Sequence, residues 1–412
     1  MKILYLSQLV PYPPDSGAKV RQYYVLRYLA QRHQVSLVAF SRPDDTPEAL
    51  AHLKEFCQEI RTVAMERSRL RDGYALAGSW LSGESFIIRR DKVPAMTQLV
   101  QEQLLEGGFD VVHADQLWMA QYALLADRLA TQGRIKRPRL ILDEHNACFQ
   151  IFKRLAEGEP SPLKRKALDR EWRALQHFEA QACSRFDQVV TVTEEDREIL
   201  EPMVSAASQS AQPALRFSTI PICVDTESVP PVVPENARPE VLHLGTMFWP
   251  PNVEGVLWFA RQVWPLVRAQ IPEAVFTVVG KNPPEQVKAL DGRDAGINIT
   301  GYVSDPQTYL ERAKAFIVPL FSAGGMRVKI IDGWRWGLPI VSTTIGAEGI
   351  QYREGENILI ADDPQSFAAA VVQVLQDSTL NQGLRERGRR WVEEKYNWQR
   401  VYTDWDQVYY AS

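Results

Sequence analysis

The stretch from Ala315 to Ser342 constrains the fold of this chain more than any other part of the sequence. It opens with an apolar run, Ala315 to Leu320, which predicts a buried strand. A glycine pair, Gly324 and Gly325, follows, where the backbone can turn tightly and approach a ligand closely. A helix and a second apolar strand, Pro339 to Ser342, complete a βαβ unit. The corner before the helix of such a unit is a favoured place for phosphate groups.

The residues at this corner indicate which ligand it binds. Arg327 presents a planar fork that suits phosphate oxygens, and Lys329 presents a point charge. The free amide hydrogens at the start of the helix add the positive end of a dipole. Asp332 only accepts hydrogen bonds when ionised, so it suits a ribose diol. The pattern predicts a nucleoside diphosphate site, although an ordinary surface turn with an ion pair remains an alternative on the motif alone.

Composition narrows the class of protein. The chain has 412 residues and a formal net charge of -4, which argues against nucleic acid as the main partner. Its four cysteines form no CxxC pair and its six histidines form no HxxxH pair, so we expect a reducing cytoplasm and no metal site. No apolar run has the length of a signal peptide or a membrane span, and peripheral membrane contact remains open.

Short apolar strands alternate with amphipathic helices on both sides of a proline-rich segment, which predicts parallel sheets covered on both faces. We expect an N-terminal Rossmann-like domain over 1–224, a linker over 225–239, a second Rossmann-like domain over 240–390 and a C-terminal helix over 391–412 that packs back on the first domain. A single helix is expected from Glu254 to Gln270. Neither GxGxxG nor GxxxxGK[ST] follows a strand, which disfavours dinucleotide dehydrogenases and P-loop nucleotidases.

Six segments, in this order and spacing, resemble the retaining glycosyltransferases of family 4, which have the GT-B fold. They are Leu6 to Arg21, Asp110 to Asp115, Leu142 to Asn146, Gly245 to Met247 with Pro251-Asn252, Gly301 to Asp305, and Gly346 to Ile350. The resemblance implies an α/β protein with two Rossmann-like domains facing a central cleft.

The chain departs from the family pattern in its donor loop. The family commonly carries two glutamates separated by seven residues. The first would fall on Gly324, and the second is matched by Asp332. An arginine and a lysine that commonly follow the first strand of the donor domain are also missing. We interpret Arg327 and Lys329 as replacement ligands, as in a subgroup with a Gly-Gly-x-Arg-x-Lys loop.

The resemblance carries roles onto matching positions. The implied catalytic residues are His145, Asp115, Arg327 and Lys329. The implied donor-binding residues are Gly17, Thr246, Tyr302, Val303, Gly324, Gly325, Met326, Arg327, Lys329, Asp332, Glu348, Gly349 and Ile350. The implied acceptor-binding residues are Arg21, Asp115 and His145. Helix capping is an equal alternative for Asp115, a solvated helix face is favoured for Arg21, and His113 is expected to be structural.

The implied reaction is the transfer of a hexose from a nucleoside diphosphate sugar, with a UDP-sugar expected, and with retention of configuration. The acceptor is a sugar, a glycan, a lipid-linked sugar or a sugar phosphate. No metal or other cofactor is expected, because protein cations stabilise the leaving group. The basic run Lys164 to Lys166 could contact lipid headgroups. A sucrose-phosphate-synthase-like enzyme, a UDP-sugar epimerase on the same fold and a non-catalytic binder remain alternatives.

Overall fold

The computed structural model of this chain describes residues 1–65, 68–207, 216–232, 238–247, 249–292, 294–303, 305–322 and 324–410. The chain divides into two compact units. The N-terminal unit comprises Met1–Ile222 and Tyr402–Ser412, and the C-terminal unit comprises Cys223–Val401. The expected linker at 225–239 belongs to the C-terminal unit, and its residues 233–237 lie outside the described residues. Residues 391–401 of the expected C-terminal segment also belong to this unit.

The N-terminal unit is built on a seven-stranded parallel sheet with the order β3-β2-β1-β4-β5-β6-β7. Its strands are mostly buried and read as near-continuous apolar runs, as in sheets covered on both faces. The strands are β1 (Lys2–Ser7), β2 (Gln34–Ser41), β3 (Glu59–Ala64), β4 (Val111–Asp115), β5 (Arg139–Glu144), β6 (Gln188–Thr191) and β7 (Arg216–Thr219).

Within the part of the N-terminal unit that the structure describes, ten helices connect these strands. Several begin at recognisable signals: Thr46 caps one helix through the amide of Ala49, and Pro47 follows at its first position. The helices are α1 (Gly17–Ala30), α2 (Pro47–Lys54), α3 (Arg69–Ser82), α4 (Phe86–Arg90), α5 (Pro94–Gly107), α6 (Leu117–Ala123), α7 (Leu125–Thr131), α8 (Cys148–Gly158), α9 (Pro162–Cys183) and α10 (Glu194–Ala207).

The C-terminal unit contains a six-stranded parallel sheet with the order β10-β9-β8-β11-β12-β13. Its strands are β8 (Glu240–Leu244), β9 (Val275–Val279), β10 (Ile297–Gly301), β11 (Ala313–Val318), β12 (Ile340–Ser342) and β13 (Leu359–Ile360). The helices that cover the sheet are α11 (Pro250–Trp258), α12 (Trp264–Gln270), α13 (Glu285–Lys288), α14 (Gln307–Arg312), α15 (Val328–Arg335), α16 (Pro364–Gln376), α17 (Ser378–Lys395) and α18 (Trp398–Val401). A final helix, α19 (Asp404–Tyr410), belongs to the N-terminal unit.

One expected helix is irregular. The run expected from Glu254 to Gln270 begins earlier, at Pro250, and its middle is a π-helical turn, Phe259–Val263, between α11 and α12. Pro265 occupies the second position of α12, where it has no amide hydrogen to donate to the preceding turn. A widened turn before a proline is a common way to accommodate that missing hydrogen bond.

Each sheet reverses its strand order at one point, between β1 and β4 in the first and between β8 and β11 in the second. In open parallel sheets, the crevice at the carboxyl ends of the strands beside such a reversal is the usual ligand site. The expected α/β architecture with two parallel sheets is therefore confirmed. Among the described residues, no helix combines the length and apolar character needed to cross a bilayer.

Candidate functional site

The glycine loop, residues 324–326, connects the carboxyl end of β11 to the start of α15. Gly325 has a φ of +75°, a left-handed conformation that side chains disfavour. Arg327 is the residue that precedes the first turn of α15, and no side chain caps this helix end. The amides of Val328 and Ile330 already donate to the carbonyl oxygens of Met326 at 3.1 Å and Arg327 at 3.0 Å. What α15 offers an anion at the strand reversal is chiefly the positive end of its dipole.

Arg327 holds this loop in place. Its side chain is buried, and its guanidinium donates to the carbonyl oxygens of Gly324 at 2.8 Å, of Gly325, and of Ile345 at 3.2 Å. It also forms an ion pair with Glu348, with 2.9 Å between Nη2 and Oε2. In the structure the side chain of Arg327 ties the glycine loop to the turn at 345–348. The diphosphate contact expected from the sequence stays a prediction.

Lys329 is the cation that lies at the sheet reversal itself. Its Nζ donates to Oδ1 of Asn252 at 2.6 Å, and the amide of Asn252 donates to the carbonyl oxygen of Thr246 at 2.8 Å. A β-carbon placed on Gly245, directly after β8, would lie 2.6 Å from Nζ. Glycine at this position therefore lets the ammonium reach the end of the strand. Burial, and then the charge of Arg327, lower the pKa of Lys329 to about 7.

Asp332 and Glu348 are both engaged in ion pairs. Asp332 pairs with Arg335, one turn further along α15, with 3.0 Å between Oδ1 and Nη2. Burial raises the pKa of Asp332, and the charge of Arg335 opposes the rise. Glu348 pairs with Arg327, as described above. Gly349, expected beside the ligand, has a φ of +74°, and Ile350 after it is buried.

Tyr302 and Val303 directly follow β10. Tyr302 is exposed, and the ammonium of Lys281 lies 5.9 Å from the centre of its ring. In the sheet, β10 is separated from β8 by one strand, which places their axes about 10 Å apart. The contact of Tyr302 and Val303 with a nucleobase stays a prediction.

In the N-terminal unit, Asp115 and His145 meet at the carboxyl ends of β4 and β5. Nε2 of His145 lies 3.0 Å from Oδ1 of Asp115, and both side chains are buried. Asp115 also accepts hydrogen bonds from the hydroxyl of Tyr5 at 3.1 Å and from the amide of Gln22 at 2.5 Å. The structure thus brings together the two residues that the sequence singled out, although they lie thirty positions apart.

Arg21 does not have the role expected from the sequence. It is fully buried, and its guanidinium donates to both carboxylate oxygens of Asp143 at 2.6 to 2.9 Å. It also donates to the carbonyl oxygen of Ile220 at 2.7 Å and packs against Trp405. Burial acts to raise the pKa of Asp143, but the charge of Arg21 holds it below its usual range. Arg21 is therefore a core residue that positions Asp143, and neither an acceptor ligand nor a solvated helix residue.

Gln116 was missed by the sequence analysis. Its φ of 69° and ψ of 154° fall in a region that is almost reserved for glycine. Its backbone amide donates to the carbonyl oxygen of Asp143 at 2.9 Å, and its side-chain nitrogen lies 3.1 Å from Nδ1 of His145. If the amide donates to Nδ1, the imidazole proton lies on Nε2 and points to Asp115. No propensity or motif at this position signals this geometry.

Glu179 of α9 holds the end of the loop that follows β5. Glu179 is buried and accepts hydrogen bonds from the backbone amides of Cys148 at 2.7 Å and Phe149 at 3.1 Å, at the start of α8. Burial raises the pKa of Glu179 to about 8. His145 therefore lies on a loop that is held by Glu179 at Cys148, three residues later in the chain.

Two other expected residues have simpler surroundings. His113 is buried, stacks on Tyr5 at 4.5 Å, and bonds the hydroxyl of Tyr409 at 2.7 Å through Nδ1. Burial lowers the pKa of His113 to about 4, which fits the structural role expected for it. Gly17 is the first residue of α1, just beyond the carboxyl end of β1, and no side chain caps this helix.

Potential metal ligands also occur among the described residues. Oxygen and nitrogen atoms of Asp115, Asp143 and His145 lie within 4.8 Å of one another. Asp143 already pairs with Arg21, and Asp115 accepts hydrogen bonds from the neutral side chains of Tyr5 and Gln22, so these carboxylates already have partners within the protein. The donor set does not by itself favour a cation.

Comparisons with known proteins bear on both units. Residues 16–210 match the family model described as "Glycosyl transferase 4-like domain", and residues 238–377 match the one described as "Glycosyl transferases group 1". A protein of Klebsiella pneumoniae described as an "uncharacterized 44.6 kDa protein in cps region" is 22% identical over 98% of each chain. The lipopolysaccharide core biosynthesis glycosyltransferase LpsE of Rhizobium meliloti is 33% identical over 24% of this chain and 29% of its own length.

Solved structures show the same fold. Sucrose-phosphate synthase of Thermosynechococcus elongatus has a TM-score of 0.68 and 16% identity over 99% of this chain and 98% of its own. The Anabaena protein HepE, in complex with UDP and glucose, has a TM-score of 0.65 and 13% identity over 100% of both chains. These proteins are GT-B glycosyltransferases, and the two α/β units described above have that architecture.

Proposed function

Because the chain belongs to the glycosyltransferases of the group 1 and 4-like type, we propose that it transfers a hexose from a nucleoside diphosphate sugar with retention of configuration. The C-terminal unit binds the donor, and the N-terminal unit binds a carbohydrate acceptor. The expected donor is a UDP-sugar, which is supported by the UDP and UDP-glucose bound to HepE.

The observation that carries this proposal is the position of Lys329. Its ammonium lies against Gly245 at the strand reversal, near the start of α15. It donates to Asn252 of α11, whose amide is held by the carbonyl oxygen of Thr246. Both the point charge of Lys329 and the positive end of the α15 dipole favour a diphosphate at that place. Arg327 contributes by holding the glycine loop in its shape.

The nucleoside extends from the diphosphate towards β10. The backbone of Tyr302 and Val303 binds the base, and Asp332 binds the ribose hydroxyls once Arg335 shares its carboxylate with them. The glycine loop with Met326, and residues Glu348, Gly349 and Ile350, surround the diphosphate.

During transfer, the bond between the anomeric carbon and the leaving phosphate breaks, and the acceptor oxygen bonds to that carbon on the same face. The leaving phosphate oxygen accepts the proton of the acceptor hydroxyl, so no separate base is required. Negative charge grows on the leaving diphosphate, and Lys329 with the positive end of the α15 dipole stabilises it there. His145 and Asp115 bind and orient the transferred sugar and the acceptor hydroxyl.

We propose that no metal is involved, because protein cations occupy the position where a metal would neutralise the diphosphate. Turnover should be unchanged in EDTA. A loss of activity in the chelator that magnesium or manganese restores would contradict this part of the proposal. We also assign the reaction to the cytoplasm, which is supported by four buried cysteines that are all free thiols.

A cell-envelope glycan or its lipid-linked precursor is our first candidate acceptor, which is supported by the relative described as a lipopolysaccharide core biosynthesis glycosyltransferase. Transfer to a soluble sugar phosphate is the second candidate, favoured by the similarity to sucrose-phosphate synthase. A UDP-sugar epimerase is a third possibility on the same fold, and it would act without any acceptor.

The test is a screen of nucleotide sugars for hydrolysis, followed by an acceptor screen with the best donor and NMR of the product. The proposal expects release of nucleoside diphosphate, acceptor-dependent transfer, and the same anomeric configuration in donor and product. Conversion of the donor sugar without an acceptor would favour the epimerase. Tight diphosphate binding with neither hydrolysis nor transfer would leave a non-catalytic binder.

A further inference from the structure

One helix of the N-terminal unit turns an apolar face to solvent. In α3, Leu70, Tyr74 and Leu81 are 78%, 80% and 90% exposed. These residues and Ala77 are spaced by four, three and four positions, so they share one side of the helix. We call this side the α3 face. Large apolar residues exposed together, rather than singly, are a sign of an interaction site.

The opposite side of α3 packs on its own unit. Ala75 and Ser79 are buried, and the hydroxyl of Ser79 donates to the carbonyl oxygen of Glu84. The guanidinium of Arg170, from α9, donates to the backbone and hydroxyl of Ser79, and it lies 4.9 Å from the ring of Trp80. The helix is therefore anchored, and its apolar face is not a consequence of weak packing.

The surroundings of the α3 face are basic. Segments 68–92 and 153–173 contain twelve lysines and arginines against seven acidic residues, whereas the whole chain has a net charge of -4. Glu171, one of the seven, is buried and caps α4 through the amides of Phe86 and Ile87, so it does not contribute to the surface. The apolar face thus has a cationic border on a protein that is acidic overall.

The start of α9 continues this surface. Leu163 is 81% exposed, and Lys164, Arg165 and Lys166 beside it are exposed as well. Leu163 and Arg170 are seven positions apart and so lie on the same side of α9. Arg170 contacts Ser79 on the anchored side of α3 and the ring of Trp80 on its exposed flank. Helix α9 therefore runs beside α3, and its basic first turn lies in the same part of the N-terminal unit as the α3 face.

We propose that this region docks on an anionic lipid bilayer, with the α3 face in the headgroup layer and the first turn of α9 on lipid phosphates. Apolar and aromatic residues on one helix side with cations at the border are the pattern of helices that lie in a membrane interface. A second copy of the chain would fit less well, because a symmetric contact would bring the same cations together. The proposal is independent of the donor and of the reaction assigned above.

The test is co-sedimentation of the full chain with vesicles of phosphatidylcholine alone or with a quarter of phosphatidylglycerol. We expect the anionic vesicles to bind at least ten times more tightly. The variant Leu70→Gln/Tyr74→Gln/Leu81→Gln should lose at least tenfold in affinity. Lys164→Gln/Lys166→Gln should lose about fivefold for each cation removed. The matched control, Leu105→Gln/Ile199→Gln/Leu266→Gln, removes three exposed apolar side chains elsewhere and should bind as the wild type does.

Each outcome decides the matter. Failure of the wild type to bind anionic vesicles overturns the proposal, as does equal binding by the α3 variant and the wild type. If the triple variant misfolds by circular dichroism, the single change Leu81→Glu, at a fully exposed position, takes its place with the same expectation. If the α3 variant instead abolishes self-association in sedimentation velocity and leaves vesicle binding unchanged, the face is a contact between copies.

Discussion

The polar cluster of the N-terminal unit and the glycine loop of the C-terminal unit occupy equivalent places, each at the strand reversal of a parallel sheet, but they are built differently. Around Asp115, Asp143 and His145, the polar groups are buried and hydrogen-bonded to protein partners, with Asp143 paired to Arg21. Around Lys329, one cation with a lowered pKa lies at the start of a helix that no side chain caps. The Arg21–Asp143 pair is satisfied within the protein, whereas the second site is arranged to gain a negatively charged ligand. Substitution of Arg21 should therefore affect stability, and substitution of Lys329 should affect affinity.

The largest expected effect is on stability, in Arg21→Met. This change leaves the Asp143 carboxylate buried without its bidentate cation, which typically costs about 3–5 kcal/mol. Urea unfolding with hydrogen exchange should locate the loss in the N-terminal unit. The control Lys288→Met removes an exposed pair with Glu285 and should cost about 0.5 kcal/mol or less. A similarly small loss in Arg21→Met would erase the proposed difference between the two sites.

The next effect is on affinity, in Lys329→Ala. Loss of a charged hydrogen-bond partner costs about 1.5–3 kcal/mol, so calorimetry should show UDP binding about 10- to 100-fold more weakly. Folding stability should not fall, because the variant removes a desolvated cation. Lys288→Ala serves as the control with unchanged affinity.

Arg327→Ala distinguishes a loop-positioning residue from a direct ligand. This variant should also weaken UDP binding, because the glycine loop loses its contacts with Arg327. It should therefore speed amide exchange in residues 324–326 and 345–348. Lys329→Ala should leave that exchange unchanged. If the two variants have the same exchange pattern, Arg327 is a direct ligand and its positioning role is wrong.

A third effect is the pH dependence of binding. An anion prefers the protonated ammonium of Lys329, whose pKa in the free protein is about 7. The protonated fraction falls about tenfold between pH 6 and pH 8, so the affinity for a UDP-sugar should fall by up to about tenfold over that range. Lys329→Arg keeps its charge throughout and should bind with nearly constant affinity. A wild-type profile as flat as that of the arginine variant would contradict the lowered pKa.

The smallest effect concerns the backbone at Gln116. A side chain at its φ and ψ costs on the order of 1–3 kcal/mol, and glycine avoids most of this cost. Both Gln116→Gly and Gln116→Ala remove the contact with His145, so the two variants differ mainly in backbone strain. Thermal unfolding should find the glycine variant more stable than the alanine variant by about 1 kcal/mol. The reverse order would mean that the backbone at this position is not strained.

Much of the fold could be predicted from local pattern. Apolar runs such as that ending at Leu320, and the glycine pair after it, indicate a parallel sheet and its ligand corner because strand burial and tight turns depend on nearby residues. The meeting of Asp115 and His145 could also be expected, since Asp115 ends one strand and His145 directly follows another. The order of the strands brings such positions to one edge.

Interactions between distant residues could not be predicted in this way. Arg21 pairs with Asp143, 122 positions away, and nothing around either residue indicates the other. Helix α1 is buried on nearly all sides by elements that are distant in the sequence. Without knowledge of those elements, an arginine in this helix is expected to face solvent. The strain at Gln116 and the hold of Arg327 on two loops likewise depend on three-dimensional context rather than on sequence spacing.

Helix α9 connects two features that have been described separately. Its first turn carries Lys164, and fifteen residues later Glu179 fixes the loop that carries His145. At 1.5 Å per residue, these two points are about 22 Å apart along the helix axis. A regular helix hardly changes its length, so the distance between these two points is fixed. If the first turn of α9 lies on lipid phosphates, Glu179 can lie at most about 22 Å above the membrane surface. An acceptor anchored in the same leaflet would need a headgroup and sugars long enough to reach His145 on the loop that Glu179 holds.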